Sequence, residues 1–134
     1  MKTITEIATE WLGTPWIHNQ SVKGIGTDCV GLILGIGKEY GVIEPDFKLE
    51  NYHRIPRQNE IIKFCNQQTY LKPIEILQPE TVLVLKIGKI AGHVGISIDK
   101  DLLIHADNNY GVQLVPINFF LNKIAAKYEV ICHG

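Results

Sequence analysis

The sequence predicts an α+β fold, with helices in its first half and a meander of antiparallel strands in its second. Up to about residue 41 the apolar residues recur at helical spacing or form one long apolar helix-like run. Beyond Pro73 they gather instead into short β-branched runs parted by turn residues. Helices first and strands afterwards is the order of a segregated fold, not of the alternating units that build a parallel sheet.

The elements follow in chain order. Thr3 and Glu6 have capping-box spacing, and Ile4, Ile7, Ala8, Trp11 and Leu12 mark one face of a first helix, which Gly13 and Pro15 stop. Trp11 reads as core. Residues Trp16 to Thr27 show no period and read as a loop. Asp28 is placed to cap a second helix from Cys29 to near Gly41, too apolar for a surface helix and therefore central and buried. Gly31, Gly35 and Gly37 lower its propensity by roughly 1 kcal/mol each relative to Ala, and their simplest use is close approach of a neighbouring element.

Glu44 to Pro56 reads as irregular, and Asn59 to Tyr70 as a weak helix. Strands are expected at Thr81–Ile87, His93–Ile98, Leu102–Ala106 and Gly111–Ile117, a short helix from Asn118 to Ala126, and a last strand at Tyr128–Cys132. Asp99, Asp101 and Asp107, with Asn108 and Asn109, are ordinary turn residues between these strands, and Tyr110 and Phe119 carry no chemical signal.

Length and composition bound the function. The 134 residues fit one domain, 1–134, with 46% hydrophobic residues for one core. A formal charge of −1 and the absence of any Lys/Arg run argue against nucleic acid or an anionic membrane as partner. Cys29, Cys65 and Cys132 are odd in number and belong to no CxxC pair, which suggests neither a disulfide framework nor a cysteine-rich zinc site. Cys65 and Cys132 read as buried hydrophobes. Residues 1–14 have no apolar h-region and do not read as a secretion signal, and no stretch approaches the ~18 apolar residues that span a bilayer.

The chemical signal begins at Gly26-Thr27-Asp28-Cys29-Val30-Gly31-Leu32. A cysteine in the first turn of a buried helix meets unpaired N–H groups and the positive end of the dipole, which favour thiolate over thiol. His93 and His105 fall on successive strands, where cross-strand neighbours can hydrogen-bond. A thiol, an imidazole to take its proton and a second polar group to hold that imidazole make up a triad. A three-ligand metal site from Cys29, His93 and His105 is the chemical alternative. His18 lies in the loop before Cys29, and His53 and His133 in unpatterned segments.

Gly13-Thr14-Pro15-Trp16, residues 27–32, His93-Val94-Gly95-Ile96 and Ile104-His105-Ala106 stand in the order and approximate spacing of the NlpC/P60 family. The chain resembles these papain-like bacterial cell-wall cysteine peptidases over nearly its whole length, and its spacing is most similar to the phage-tail and gene-transfer-agent branch. The resemblance implies a papain-like fold with the nucleophile on a central helix, packed on an antiparallel sheet of about five strands. It implies Cys29 as nucleophile, His93 as general base and His105 as the residue that orients it. Asp28 matches an aspartate that helps receive a free amine of the stem peptide, and Trp16 takes the place of a tyrosine that lines the site. Trp16 lacks that hydroxyl, and Val30 stands where a serine often follows the cysteine.

The implied reaction is hydrolysis of a peptidoglycan stem-peptide bond, such as that between γ-D-glutamate and the diamino acid, with no metal or cofactor. The implied partners are peptidoglycan peptides and phage-tail-like proteins. Without a signal peptide, the expected route is synthesis in the cytoplasm and delivery to the wall on a phage-like particle. A non-catalytic wall- or tail-binding module of the same fold, and a thiol amidase or acyltransferase, are the alternatives.

Overall fold

The structure, a computed structural model, describes residues 1–49, 52, 57 and 59–132. Helix α1 spans Ile4–Glu10 and carries the expected capping box, in which the Thr3 side chain accepts from the Glu6 N–H while Glu6 accepts from the Thr3 N–H. Ile4, Ile7 and Ala8 are buried, and so is Trp11 just past the helix end. The loop that follows contains a two-stranded hairpin, β1 (Ser21–Val22) with β2 (Gly26–Thr27), too short to announce itself by periodicity.

Helix α2, Cys29–Tyr40, is the buried central helix. Asp28 caps it by accepting from the Gly31 N–H at 2.8 Å, and Gly41 ends it in the left-handed conformation, φ 92°. Its glycines are contact points. A Cβ on Gly31 would lie 2.1 Å from the carbonyl oxygen of Gln20, one on Gly35 2.3 Å from the Trp11 ring, and one on Gly37 2.5 Å from Ile43. The loop, α1 and the residues after α2 thus approach the helix to backbone distance.

Helix α3 covers Glu60–Asn66, shorter than the expected 59–70, because the chain turns at Gln67 and enters β3, Leu71–Pro73. Strands β4 (Thr81–Ile87), β5 (Ile90–Ser97), β6 (Leu102–Asp107) and β7 (Gly111–Pro116) form the anticipated meander. Asp99 and Asp107 close its turns by accepting backbone N–H bonds from the residues two and three positions on.

The expected helix at 118–126 is corrected. Ile117–Lys123 is a 3₁₀ helix, and Ala125 and Ala126 lie instead in β8, Ile124–Val130. Those alanines favour a helix by propensity, but pairing of this stretch with β4 overrides it.

All pairs in the main sheet are antiparallel, in the order β3-β8-β4-β5-β6-β7. The sheet therefore has six strands rather than about five. The additional strand, β3, is a three-residue edge strand ending in Pro73, a residue tolerated there because an edge needs no donor. Alternate residues of β4 serve two cores. Val82 and Val84 pack with α1, α2 and α3, while Leu83 and Leu85 pack with Leu103 and Ile117 beneath the 3₁₀ helix. Glu80 pins α1 to the sheet by accepting from both the N–H and the hydroxyl of Thr5, at 2.6 and 2.8 Å. No described helix is long and apolar enough to cross a membrane.

Candidate active site

The head of α2 meets β5 and β6 at a cavity of about 350 Å³. Trp16, Asp28, Cys29, His93 and His105, the residues singled out from the sequence, all line it, together with Phe120. Cys29 is the first residue of α2 and is buried. Hydrogen bonds from the backbone of Val94, Val30 and Cys29 itself stabilise its thiolate. They are outweighed. Burial first, and then the neighbouring Asp28 carboxylate, push the thiol up to about 12. The expectation that the helix head alone would favour thiolate is thereby corrected, because a helix-terminus dipole cannot offset full desolvation beside a like charge.

His93 and His105 are both buried, and His93 Nε2 lies 2.8 Å from His105 Nδ1. The register explains how they meet. Gly95 is directly opposite His105, and His93 sits two residues before it, so the two imidazoles share one face on a diagonal. A Cβ on Gly95 would come within 3.1 Å of the His105 Cβ, so glycine leaves the space through which His105 leans. The rings are nearly perpendicular, at 89°.

With Nε2 engaged, Nδ1 is the remaining ring nitrogen of His93, and it can take a proton only in the tautomer whose Nε2 carries the hydrogen. Burial first, and then the neighbouring His105, pull His93 down to about 4 against the opposing pull of Asp107. His105 is also lowered by burial against the pull of Asp107. At neutral pH the resting site is therefore a thiol beside a neutral imidazole pair.

Asp28 is buried and its carboxylate is fully engaged. It accepts from the Gly31 and Asn19 N–H groups, both at 2.8 Å, and from the Tyr52 hydroxyl at 2.6 Å. His18 Nδ1 lies 3.6 Å from its outer oxygen. A substrate amine at this position would share the carboxylate with these donors. Trp16, half-buried, is joined to Thr27 by a parallel bridge and stacks on His18 at 6.3 Å, and His18 meets Tyr52 edge-on at 5.7 Å. Trp16, His18 and Tyr52 thus form one wall beside Asp28.

Three residues of this site escaped the sequence reading. Tyr52 lay in a segment without pattern. Phe120, from the 3₁₀ helix, packs near both histidines with ring centroids 6.4 and 5.4 Å away. Gln113 on β7 brings its side-chain nitrogen to 3.2 Å from His105 Nε2. That one could have been found. Once the Asp107–Gly111 turn is assigned, pairing back from it sets Gln113 opposite His105.

Of the other cysteines, Cys65 is buried as expected, but Cys132 is exposed beyond the end of β8 and is not a core residue. His53 and His133 lie outside the described residues. No three His, Cys, Asp or Glu side chains are grouped to hold a metal ion among the described residues. The cysteine–histidine set meets a different condition, with the two imidazoles bonded to each other.

No family model and no curated protein matches the chain. Solved structures do. The NlpC/p60 domain of the peptidoglycan hydrolase SagA superposes with a TM-score of 0.63 at 17% identity, covering 96% of each chain. An NlpC/P60 family protein from Bacillus cereus ATCC 10987 gives 0.69 at 20% identity over 98% of this chain and 41% of its own. NlpC1 from Trichomonas vaginalis gives 0.69 at 17%, over 95% and 42%. The chain spans less than half the length of the last two. Its fold is that of the NlpC/P60 domain structures.

Proposed function

We propose that this chain is a cysteine peptidase that hydrolyses peptide bonds of bacterial peptidoglycan stem peptides, with Cys29 as nucleophile, His93 as base and His105 holding His93. The observation that carries the proposal is the cavity shared by the helix-head thiol and the hydrogen-bonded histidine pair. The fold shared with NlpC/P60 domains supports the substrate class. The bond between γ-D-glutamate and the diamino acid is the target that the motif resemblance favours, and delivery on a phage-like particle rests on that resemblance alone.

The chemistry follows from the resting state. Because the thiol is raised and His93 is neutral, nucleophile formation coincides with attack: Cys29 Sγ gives its proton to His93 Nδ1 as it bonds to the scissile carbonyl carbon. His93 becomes an imidazolium, and its Nε2–H donates to His105 Nδ1. The oxyanion gains from N–H groups at the head of α2 that the Asp28 cap does not hold, those of Cys29 and Val30, as helix-terminal donors. Collapse breaks the C–N bond, and His93 returns the proton to the leaving amine. Water, deprotonated by His93, then cleaves the thioester and restores the thiol.

The raised thiol favours a second reading, a wall-peptide-binding module of the same fold, since an unreactive sulfur suits a binder. Cys29→Ala separates the two. The proposal expects the variant, folded as judged by circular dichroism, to release no peptide fragments from purified sacculi that the parent digests. Equal release by parent and variant removes Cys29 from the mechanism. Absence of release by both, with retained binding to sacculi, establishes the binder.

A further inference from the structure

The hydrogen-bonded chain does not end at the histidine pair. It runs from His93 Nε2 to His105 Nδ1 at 2.8 Å, then from His105 Nε2 to the Gln113 side-chain nitrogen at 3.2 Å, whose amide oxygen lies a half-turn away. Gln113 is the cross-strand partner of His105 and is half-buried on the edge strand β7. Each link of this chain constrains the next, because a neutral imidazole has one donor nitrogen and one acceptor.

Two arrangements satisfy it. If Gln113 presents its NH₂ group, His105 Nε2 accepts, His105 Nδ1–H donates to His93 Nε2, and the remaining proton of His93 sits on Nδ1. That tautomer cannot take a proton from Cys29. If Gln113 presents its carbonyl oxygen, every bond reverses. His105 Nε2–H donates to Gln113, His105 Nδ1 accepts from His93 Nε2–H, and His93 Nδ1 carries a free lone pair toward the cavity. The imidazolium formed during attack makes the same demand. It can only donate from Nε2, so His105 must accept on Nδ1 and carry its own proton on Nε2, where an NH₂ group would oppose it donor to donor.

We propose that Gln113 is a positioning residue that selects the proton-accepting tautomer of His93 through His105, by turning its carbonyl oxygen to His105 Nε2. It touches neither the thiol nor the cavity. A glutamine is suited to the task because either end of its amide can face the ring, and a half-turn of that amide converts one arrangement into the other. Among the described residues, the charged and titratable groups facing the pair are Asp107 on β6, from the same strand as His105, and Cys29 and Asp28 at the head of α2. None of them bonds to His105 Nε2, so the choice of tautomer falls to Gln113.

The test reads the tautomer directly and needs no substrate. Histidine ring nitrogens in ¹⁵N-labelled protein are observed by two-bond ¹H–¹⁵N correlation at pH 7, assigned with His93→Ala and His105→Ala. The parent is expected to carry its protons on Nε2 of both rings. Gln113→Glu, which can only accept, is expected to show that pattern alone, and Gln113→Lys, which can only donate, to move the protons to Nδ1. Gln113→Met, offering neither, is expected to give a mixture. In parallel, alkylation of Cys29 by iodoacetamide, followed by peptide mass analysis, is expected to slow by about tenfold in Gln113→Met and further in Gln113→Lys, the scale of one lost buried hydrogen bond. It is expected to quicken in Gln113→Glu, whose charge supports the imidazolium.

An unchanged tautomer pattern across folded Glu, Met and Lys variants overturns the proposal. The inference rests on His93 as base, and that premise has its own readout: if His93→Ala alkylates at the parental rate, the base assignment fails whatever the tautomers show.

Discussion

The Tyr52 hydroxyl lies 2.6 Å from each carboxylate oxygen of Asp28, and so ties the segment after α2 to the head of that helix. The phenol is raised above its ordinary range by burial and by this carboxylate. Tyr52→Phe removes a hydrogen bond to a charged, buried acceptor that keeps its bonds from Gly31 and Asn19. It is expected to destabilise the protein by about 2 kcal/mol, measured as a lowered urea midpoint at constant slope. A spectrophotometric tyrosinate titration is expected to show a deficit of ionised tyrosine at high pH relative to the unfolded chain, from Tyr52 together with Tyr70 and the other raised phenols, and a deficit smaller by one tyrosine in the variant.

The histidines set a pH window. His93 has a folded value of about 4 against an ordinary 6.5, so the unfolded chain takes up its proton first. Its contribution to stability is complete above about pH 6.5 and is lost as pH falls toward 4, amounting to about 3 kcal/mol over that interval at about 1.4 kcal/mol per unit. For the same reason the acid limb of kcat/KM is expected near pH 4 rather than 6.5, because His93 stays neutral and able to accept a proton until then. Phe120→Ala admits water to both rings, which weakens the desolvation that depresses them. Its acid limb is expected to shift upward, and a limb unmoved by this change would separate the aromatic ring from the histidine environment.

Three glycines of α2 are expected to rank by what they touch. Gly31→Ala drives a methyl group into the Gln20 backbone carbonyl, which cannot yield without moving the loop that carries Trp16 and His18, and a loss of about 3 kcal/mol is expected. Gly35→Ala meets the rigid Trp11 ring and should cost about half that. Gly37→Ala meets the flexible end of Ile43, and the helix-propensity gain of about 1 kcal/mol brings it near neutral. Urea unfolding of the three variants gives the order, and a different order would show that the contacts are relieved some other way.

Thiol accessibility gives a further prediction. Cys132 is exposed, whereas Cys29 and Cys65 are buried and both pushed up to about 12. Iodoacetamide at pH 8 is expected to modify Cys132 first, with no loss of hydrolysis. Loss of hydrolysis in step with modification at Cys132 would contradict the placement of the site.

Much of this arrangement was legible before any coordinates. Helix α2 could be read from an apolar run behind a capping aspartate, and β4 to β7 from alternation between turn residues, because in both cases local pattern and tertiary role agree. Cys29, His93 and His105 could be read because each sits in a short motif at an element boundary. What local pattern could not show was decided elsewhere in the chain. Ala125 and Ala126 became strand because they continue β8 along β4, and β3 exists only as a partner for Tyr128 to Val130 of β8. The sign of the thiol shift depended on how deeply the helix head is buried, which no propensity reports. Tyr52 and Phe120 reach the site from segments without chemical motifs.

The position of β8 bears on when the sheet beneath the candidate site is completed. Strand β8 is inserted between β3 and β4 rather than added at an edge, with Tyr128 and Glu129 paired on both sides. During synthesis from the N-terminus, the meander that carries both histidines can pair as it emerges, but β3 has no neighbour until residues 124–130 are made. The support under α3, and the packing of Tyr128 against the main core, arrive only then. Until residues 124–130 are made, the proposed thiol–imidazole site sits on a sheet that lacks the strand joining β3 to β4.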